Sequence, residues 1–85
     1  MKLFENVVNY KINHITKEEL LKYSKQYQIP MNEDQAKKVV SFLRGKNYNV
    51  FDPKQREQLV REIAKIVGPE TARKVNELFL QFINQ

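Results

Sequence analysis

The chain has no cysteine and no tryptophan, and only two glycines, three prolines and one histidine among 85 residues. Without cysteine there are no disulfides and no thiolate metal sites. Small secreted domains usually need such staples, so this chain must rely on packing alone, which suggests the cytosol. No run of about 18 apolar residues occurs, so no segment is expected to span a membrane. The opening Met1-Lys2-Leu3-Phe4-Glu5-Asn6 has neither a continuous apolar stretch nor a small-residue cleavage site, and is not expected to be a signal peptide. The scarcity of glycine and proline argues against linkers and low-complexity tails. No internal repeat is present.

What is there reads as helix. Every proline and both glycines fall where a helix should start or stop, and this agreement is the strongest structural signal in the sequence. The segment from Lys2 to Ile12 sets Leu3, Phe4, Val7 and Val8 at helical spacing. Val8, Tyr10 and Ile12 also alternate as a strand would, but helix is the expectation. Asn13 and His14 break the pattern. Thr16-Lys17-Glu18-Glu19 has the form of a capping box. It opens a helix to about Gln28, with Leu20, Leu21, Tyr23 and Tyr27 as the expected buried side. Ile29-Pro30-Met31 is an extended break, because a residue before proline is pushed out of helical geometry. Asn32 and Gln35 repeat the capping logic, and Ala36, Val39, Val40 and Leu43 follow at i, i+3, i+4 and i+7. Gly45 suits the left-handed residue that ends a helix. After a short loop, Asp52-Pro53 pairs a cap with proline at the first helical position. Leu59, Val60, Ile63, Ile66 and Val67 form the next apolar face. Gly68 closes that helix and Pro69 opens the last, which Ala72, Val75, Leu78, Phe79, Phe82 and Ile83 drive toward the C-terminus. The expected fold is all-α, a compact four- to five-helix single domain over residues 1–85 with short turns.

Catalysis has little to work with. His14 stands in a polar turn without a Cys or Ser partner to activate, and reads as structural. There is no glycine-rich phosphate loop, no HExxH pattern and no calcium loop. The carboxylate pairs Glu18/Glu19 and Glu33/Asp34 lie in first turns of expected helices, where acids complement the helix dipole. They also precede Lys22, Lys37 and Lys38 by four residues, a stabilising order. The expectation is a protein without enzymatic activity, metal, cofactor or small-molecule substrate.

Charge is unevenly placed. Fifteen Lys and Arg against ten Asp and Glu give a net charge of +5, and all of it falls in residues 37–56, since both flanks are neutral. Arg44 and Lys46 flank a helix C-terminus, where cations are favoured. Lys54 and Arg56 occupy a first turn, where they are not. Lys54, Gln58, Arg61 and Lys65 share one stripe of the fourth helix. Arg61 follows Glu57 by four residues, whereas Lys54 and Lys65 have no such partner. If the Gly45–Asp52 turn brings the helices together, Lys37, Lys38, Arg44, Lys46, Lys54, Arg61 and Lys65 form a phosphate-binding surface, with Tyr48 exposed to stack on a base. The competing expectation is a solvated face with Tyr48 and Phe51 packed under the loop. The last helix offers another clue. Phe79, Leu80, Phe82 and Ile83 exceed one narrow apolar face, which fits either a central helix or one that meets a partner protein or a second copy.

Two resemblances bear on these residues. The run Lys17 to Leu21, then Tyr27-Gln28-Ile29-Pro30, then an amphipathic stretch from Asn32 to Arg44, resembles the helix–extended-loop–helix of SAP-type modules. That resemblance implies nucleic-acid contacts at Lys37, Lys38 and Ser41. Asn32-Glu33-Asp34 stands where such modules carry a small residue or glycine. The whole pattern, from Met-Lys-Leu-Phe to the helical C-terminus, resembles the small YqfT-like proteins of spore-forming Gram-positive bacteria. This implies a cytoplasmic bacterial protein and carries over no site. The leading functional expectation is a small basic binding module that contacts nucleic acid through its 37–65 surface. The alternative is a protein-interaction or self-association module using the last helix.

Overall fold

The computed structural model describes residues 2–84, without the side chains of Lys2 and Phe82. They form α1 (Lys2–Asn13), α2 (Lys17–Gln26), α3 (Glu33–Leu43), α4 (Pro53–Val67) and α5 (Pro69–Ile83). Capping chemistry sets these boundaries. The Thr16 hydroxyl accepts the Glu19 N–H at 3.1 Å, and the Glu19 carboxylate accepts the Thr16 N–H at 3.0 Å. Asn32 and Gln35 make the same reciprocal pair at the start of α3, at 2.7 and 3.0 Å. The Asp52 carboxylate accepts the Lys54 N–H at 3.0 Å, and Pro53 occupies the first turn of α4. Each arrangement satisfies amides that have no partner inside the helix. Gly68, at φ 92°, is the single junction between α4 and α5. Residues with a Cβ rarely adopt this conformation.

The second helix stops earlier than its sequence suggests. Gln28 takes a left-handed φ of 57°, and the Ile29 N–H folds back onto the Ser24 carbonyl at 2.7 Å. Tyr27 is therefore the cap of α2 and is exposed, not part of its buried side. Ser24 is buried in its stead, its hydroxyl donating to the Leu21 carbonyl at 2.7 Å.

The core gathers Val39 and Leu43 of α3, Leu59 and Ile63 of α4, and Ala72, Val75 and Phe79 of α5, closed by Ile29 and Val50 from the loops. The helices α4 and α5 make the most extensive pair, followed by α2 with α3 and α3 with α4. Among the described residues α1 has no comparably extensive helix partner. The radius of gyration, 11.8 Å, matches the value of about 11.9 Å for a compact chain of this length.

The first helix forms over the expected residues, and of Leu3, Phe4, Val7 and Val8 only Val8 packs against the core. Val8 and Ile12 pack on the core, while Leu3, Phe4, Val7 and Tyr10 are among the most exposed large apolar side chains. Helical spacing alone cannot say which of two apolar stripes is covered; the polar contacts of α1 decide it.

Candidate functional site

Asn9 and Asn13 fasten α1 to the loop between α3 and α4. The Asn13 side-chain amide donates to the Tyr48 carbonyl at 2.7 Å and accepts the Tyr48 N–H at 2.8 Å, as a paired strand would. It donates to the Asn9 carbonyl as well, at 2.8 Å. The Asn9 side chain accepts the Val50 N–H and donates to the Asn49 side chain, both at 2.9 Å. Asn13 is buried, so these bonds replace water that its amide cannot reach. They also satisfy a loop backbone that seats the fully buried Val50. Asn13 is thus the last residue of α1 and its main anchor, rather than a break.

This clamp bears directly on the basic region. Tyr48 is half-buried and its ring stacks on Phe42 with centroids 5.9 Å apart. Burial, and to a lesser extent the nearby Glu62 carboxylate, push its hydroxyl above the usual tyrosine pKa. Tyr48 is therefore not the exposed base-stacking ring that a phosphate-binding surface would use; the loop's own packing claims it. Phe51 meets Phe4 edge-on at 6.2 Å.

The cations, exposed except for the half-buried Arg56, are largely engaged. The Arg44 guanidinium donates to the Ile15 carbonyl at 3.1 Å, and that of Arg56 to the Val50 carbonyl at 2.9 Å. Lys38 pairs with Asp34 at 3.2 Å and Arg61 with Glu57 at 3.0 Å. Lys65 does have a partner, Glu62, three residues earlier at 2.9 Å. The Lys46 ammonium lies 5.1 Å from the centre of the Phe42 ring. Lys37 and Lys54 are exposed and make no ion pair among the described residues. Ser41 is exposed on the same helix as Lys37. Glu33 pairs with Lys17 at 2.9 Å, a partner on α2 that no i, i+4 rule supplies. The hydrogen bond between them holds the Glu33 carboxyl below, and the Lys17 ammonium above, their ordinary pKa.

The proposed contact residues of α5 divide differently. Phe79 is buried in the core. Leu80 and Ile83 are half-buried, and the side chain of Phe82 lies outside the described residues. Of the apolar excess in this helix, Phe79 is spent inside the fold.

The feature that the sequence did not announce is an apolar cavity of about 240 Å³. It runs from a rim at Val7 and Lys11 on α1, past Leu20 and Tyr23 on α2, to Val39, Ile63 and Phe79 in the core. At the rim the Lys11 ammonium stands 3.6 Å from Glu19. Hydrogen bonds from the Thr16 backbone and side chain, with a smaller contribution from Lys11, hold the Glu19 carboxyl below its ordinary pKa. Lost packing contacts cost about 24 cal/mol per Å³, so a closed void of 240 Å³ would cost on the order of 6 kcal/mol. That is comparable with the whole net stability of a domain this size, roughly 4–13 kcal/mol. Its walls come from all five helices, which is why no local pattern foretells it. A second, polar groove lies between Tyr27–Ile29 and the Lys74–Gln81 side of α5.

Beside the cavity rim, Leu3, Val7, Tyr10 and His14 line the outward face of α1. Tyr10 and His14 stack at 4.1 Å, and the His14 Nδ1–H donates to the Tyr10 carbonyl at 2.9 Å. Among the described residues no three His, Asp or Glu side chains gather closely enough to hold a metal ion, and no helix is long and apolar enough to cross a membrane.

The chain is similar to the uncharacterised protein YqfT of Bacillus subtilis (strain 168), with 44% identity over 82 residues, covering 96% of this chain and 98% of that protein. No solved structure matches. The local likeness of residues 16–46 to SAP-type modules finds no support in these comparisons. A family model described as a protein of unknown function (DUF2624) matches residues 1–83, and the chain belongs to that family.

Proposed function

We propose that this chain is a non-catalytic protein-interaction module that receives a helix of a partner protein on the outward face of α1. One observation carries the reading. Leu3, Val7 and Tyr10 are 75%, 55% and 63% exposed on one stripe of α1, while α3, α4 and α5 turn their apolar stripes inward. The steps from Leu3 to Val7, Tyr10 and His14 are those of a helix–helix seam, alternating four and three residues. The reading prefers α1 to α5, whose Phe79 is committed to the core and whose Leu80 and Ile83 are half-buried. A bacterial cytoplasmic setting is part of the proposal; the Bacillus subtilis relative supports its bacterial part.

The test is site-specific photocrosslinking in living cells, with the reactive side chain at Leu3 and, as control, at the exposed Gln58 of α4. The expected outcome is a discrete protein adduct from position 3 alone. Equal or absent adducts at the two positions overturn the reading. An adduct that contains only this chain identifies a second copy as the partner.

A second reading, nucleic-acid contact through residues 37–65, is favoured by the exposed ammonium groups of Lys37, Lys46 and Lys54 within the quarter of the chain that holds its whole net charge. Phosphate binding would release counterions and weaken steeply with salt. Amide-shift titration with short DNA and RNA at low and near-physiological salt tests it. Salt-sensitive shifts on this surface, lost in a Lys46→Glu/Lys54→Glu variant, are expected. No shifts at low salt remove it.

A further inference from the structure

We propose that the cavity beneath α1 binds the tail of a free medium-chain carboxylic acid, with the acid's head group on the Lys11 ammonium at the rim. The inference goes beyond docking on the outer face of α1, with which the cavity shares only the Val7 edge.

Size and lining set the tail. Protein interiors fill about three-quarters of their volume with atoms. At that density, about 240 Å³ holds roughly eight to ten aliphatic carbons. The walls are apolar from the Val7 rim to Ile63 in the core, and the buried polar side chain among them, Ser24, already donates to the Leu21 carbonyl. Nothing in the interior asks for a polar group on the ligand. Small-molecule sites commonly combine such an apolar body with a few polar groups at one place.

The rim sets the head. Lys11 is 65% exposed and has one loose partner, Glu19 at 3.6 Å. Glu19 does not depend on it: its other oxygen accepts from the Thr16 N–H at 3.0 Å and the Thr16 hydroxyl at 3.2 Å. A ligand carboxylate can therefore take Lys11 while Glu19 keeps its cap. The Glu19 charge beside Lys11 disfavours a bare anion on the surface, so binding requires that the tail be buried as well.

Entry follows from how α1 is held. Its Asn9 and Asn13 bonds lie on one edge of the inward face and Val7 and Lys11 on the other. With no extensive helix partner, α1 can swing about the asparagine edge and open the Lys11 edge.

The experiment is a methyl- and amide-shift titration with decanoate below its micelle concentration, alongside decanol and phosphatidylglycerol vesicles. Saturable one-site shifts at Ile12, Val39, Ile63 and Leu78, with a rise in melting temperature, are expected. Lys11→Glu lies on the surface and should fold normally. It should weaken decanoate at least tenfold and leave decanol within about twofold. A cavity-filling Val75→Phe variant that folds should bind neither. Absence of saturable shifts overturns the proposal, as do shifts confined to Leu3 and Tyr10, an undiminished affinity in Lys11→Glu, or binding to vesicles without binding to decanoate. The crosslink from Leu3 does not depend on any of these results, so the two readings fail separately.

Discussion

The first and last helices show that apolar content does not determine burial. Both are amphipathic, and both carry more apolar residues than one narrow stripe can hold. Helix α5 follows α4 through a single glycine and packs along it, so Ala72, Val75 and Phe79 go into the core. Helix α1 is joined to the rest largely by asparagine side chains and two half-buried apolar residues, Val8 and Ile12. Its remaining apolar face stays in solvent and its inner side leaves the cavity. The difference lies in what each helix packs against, not in what it is made of.

The sharpest way to probe this contrast is to weaken each region in turn. In the packed half, Leu59 is fully buried. Leu59→Ala should lower the unfolding free energy by about 3 kcal/mol in a denaturant titration, through lost transfer energy and the space left behind. A cost below about 1 kcal/mol would mean that this half is as loosely packed as α1.

Asn13→Ala attacks the other half. It strips partners from the Tyr48 N–H and carbonyl and should cost about 2 kcal/mol. Hydrogen exchange should show α1 and the 48–50 loop losing protection before α4 and α5. Uniform loss across all helices would show that α1 is not a separate unit.

Acid should also act on the α1 side. The folded pKa of Glu19 is depressed, so its contribution is present above the unfolded carboxylate pKa and is lost as pH falls through the folded value. Melting temperature should therefore fall below about pH 4. Glu19→Gln, which can still accept the Thr16 N–H, should flatten that dependence without abolishing the cap. An unchanged acid profile in the variant would shift the effect to Glu33, the other carboxylate held below its ordinary pKa. The smallest effect belongs to Leu3→Ser, which removes an exposed apolar group outside the cavity lining and should change stability by no more than about 0.5 kcal/mol. A larger loss in a denaturant titration of the dilute chain would show that the outer face of α1 is covered.

Much of the fold was legible in the chain, and the candidate site was not. Thr16, Glu19, Asn32, Gln35 and Asp52 announce their roles because each cap is made within three residues of itself. The basic excess could be counted, but counting does not show that Arg44 reaches the Ile15 carbonyl or that Lys65 pairs with Glu62. Tyr27 was misplaced because its exposure depends on where α2 turns left-handed; the choice between a stacking Tyr48 and one packed under its loop stayed open because it depends on a helix 35 residues away.

By itself, then, the sequence determined the all-α class and the start of nearly every helix, because capping, proline placement and apolar spacing are settled between near neighbours. Tertiary structure alone decided which stripe of α1 is covered, how the asparagines hold the 48–50 loop, and that walls from all five helices leave an apolar cavity. Those outcomes depend on groups 35 to 41 residues apart, whose meeting depends on the free energy of the whole fold.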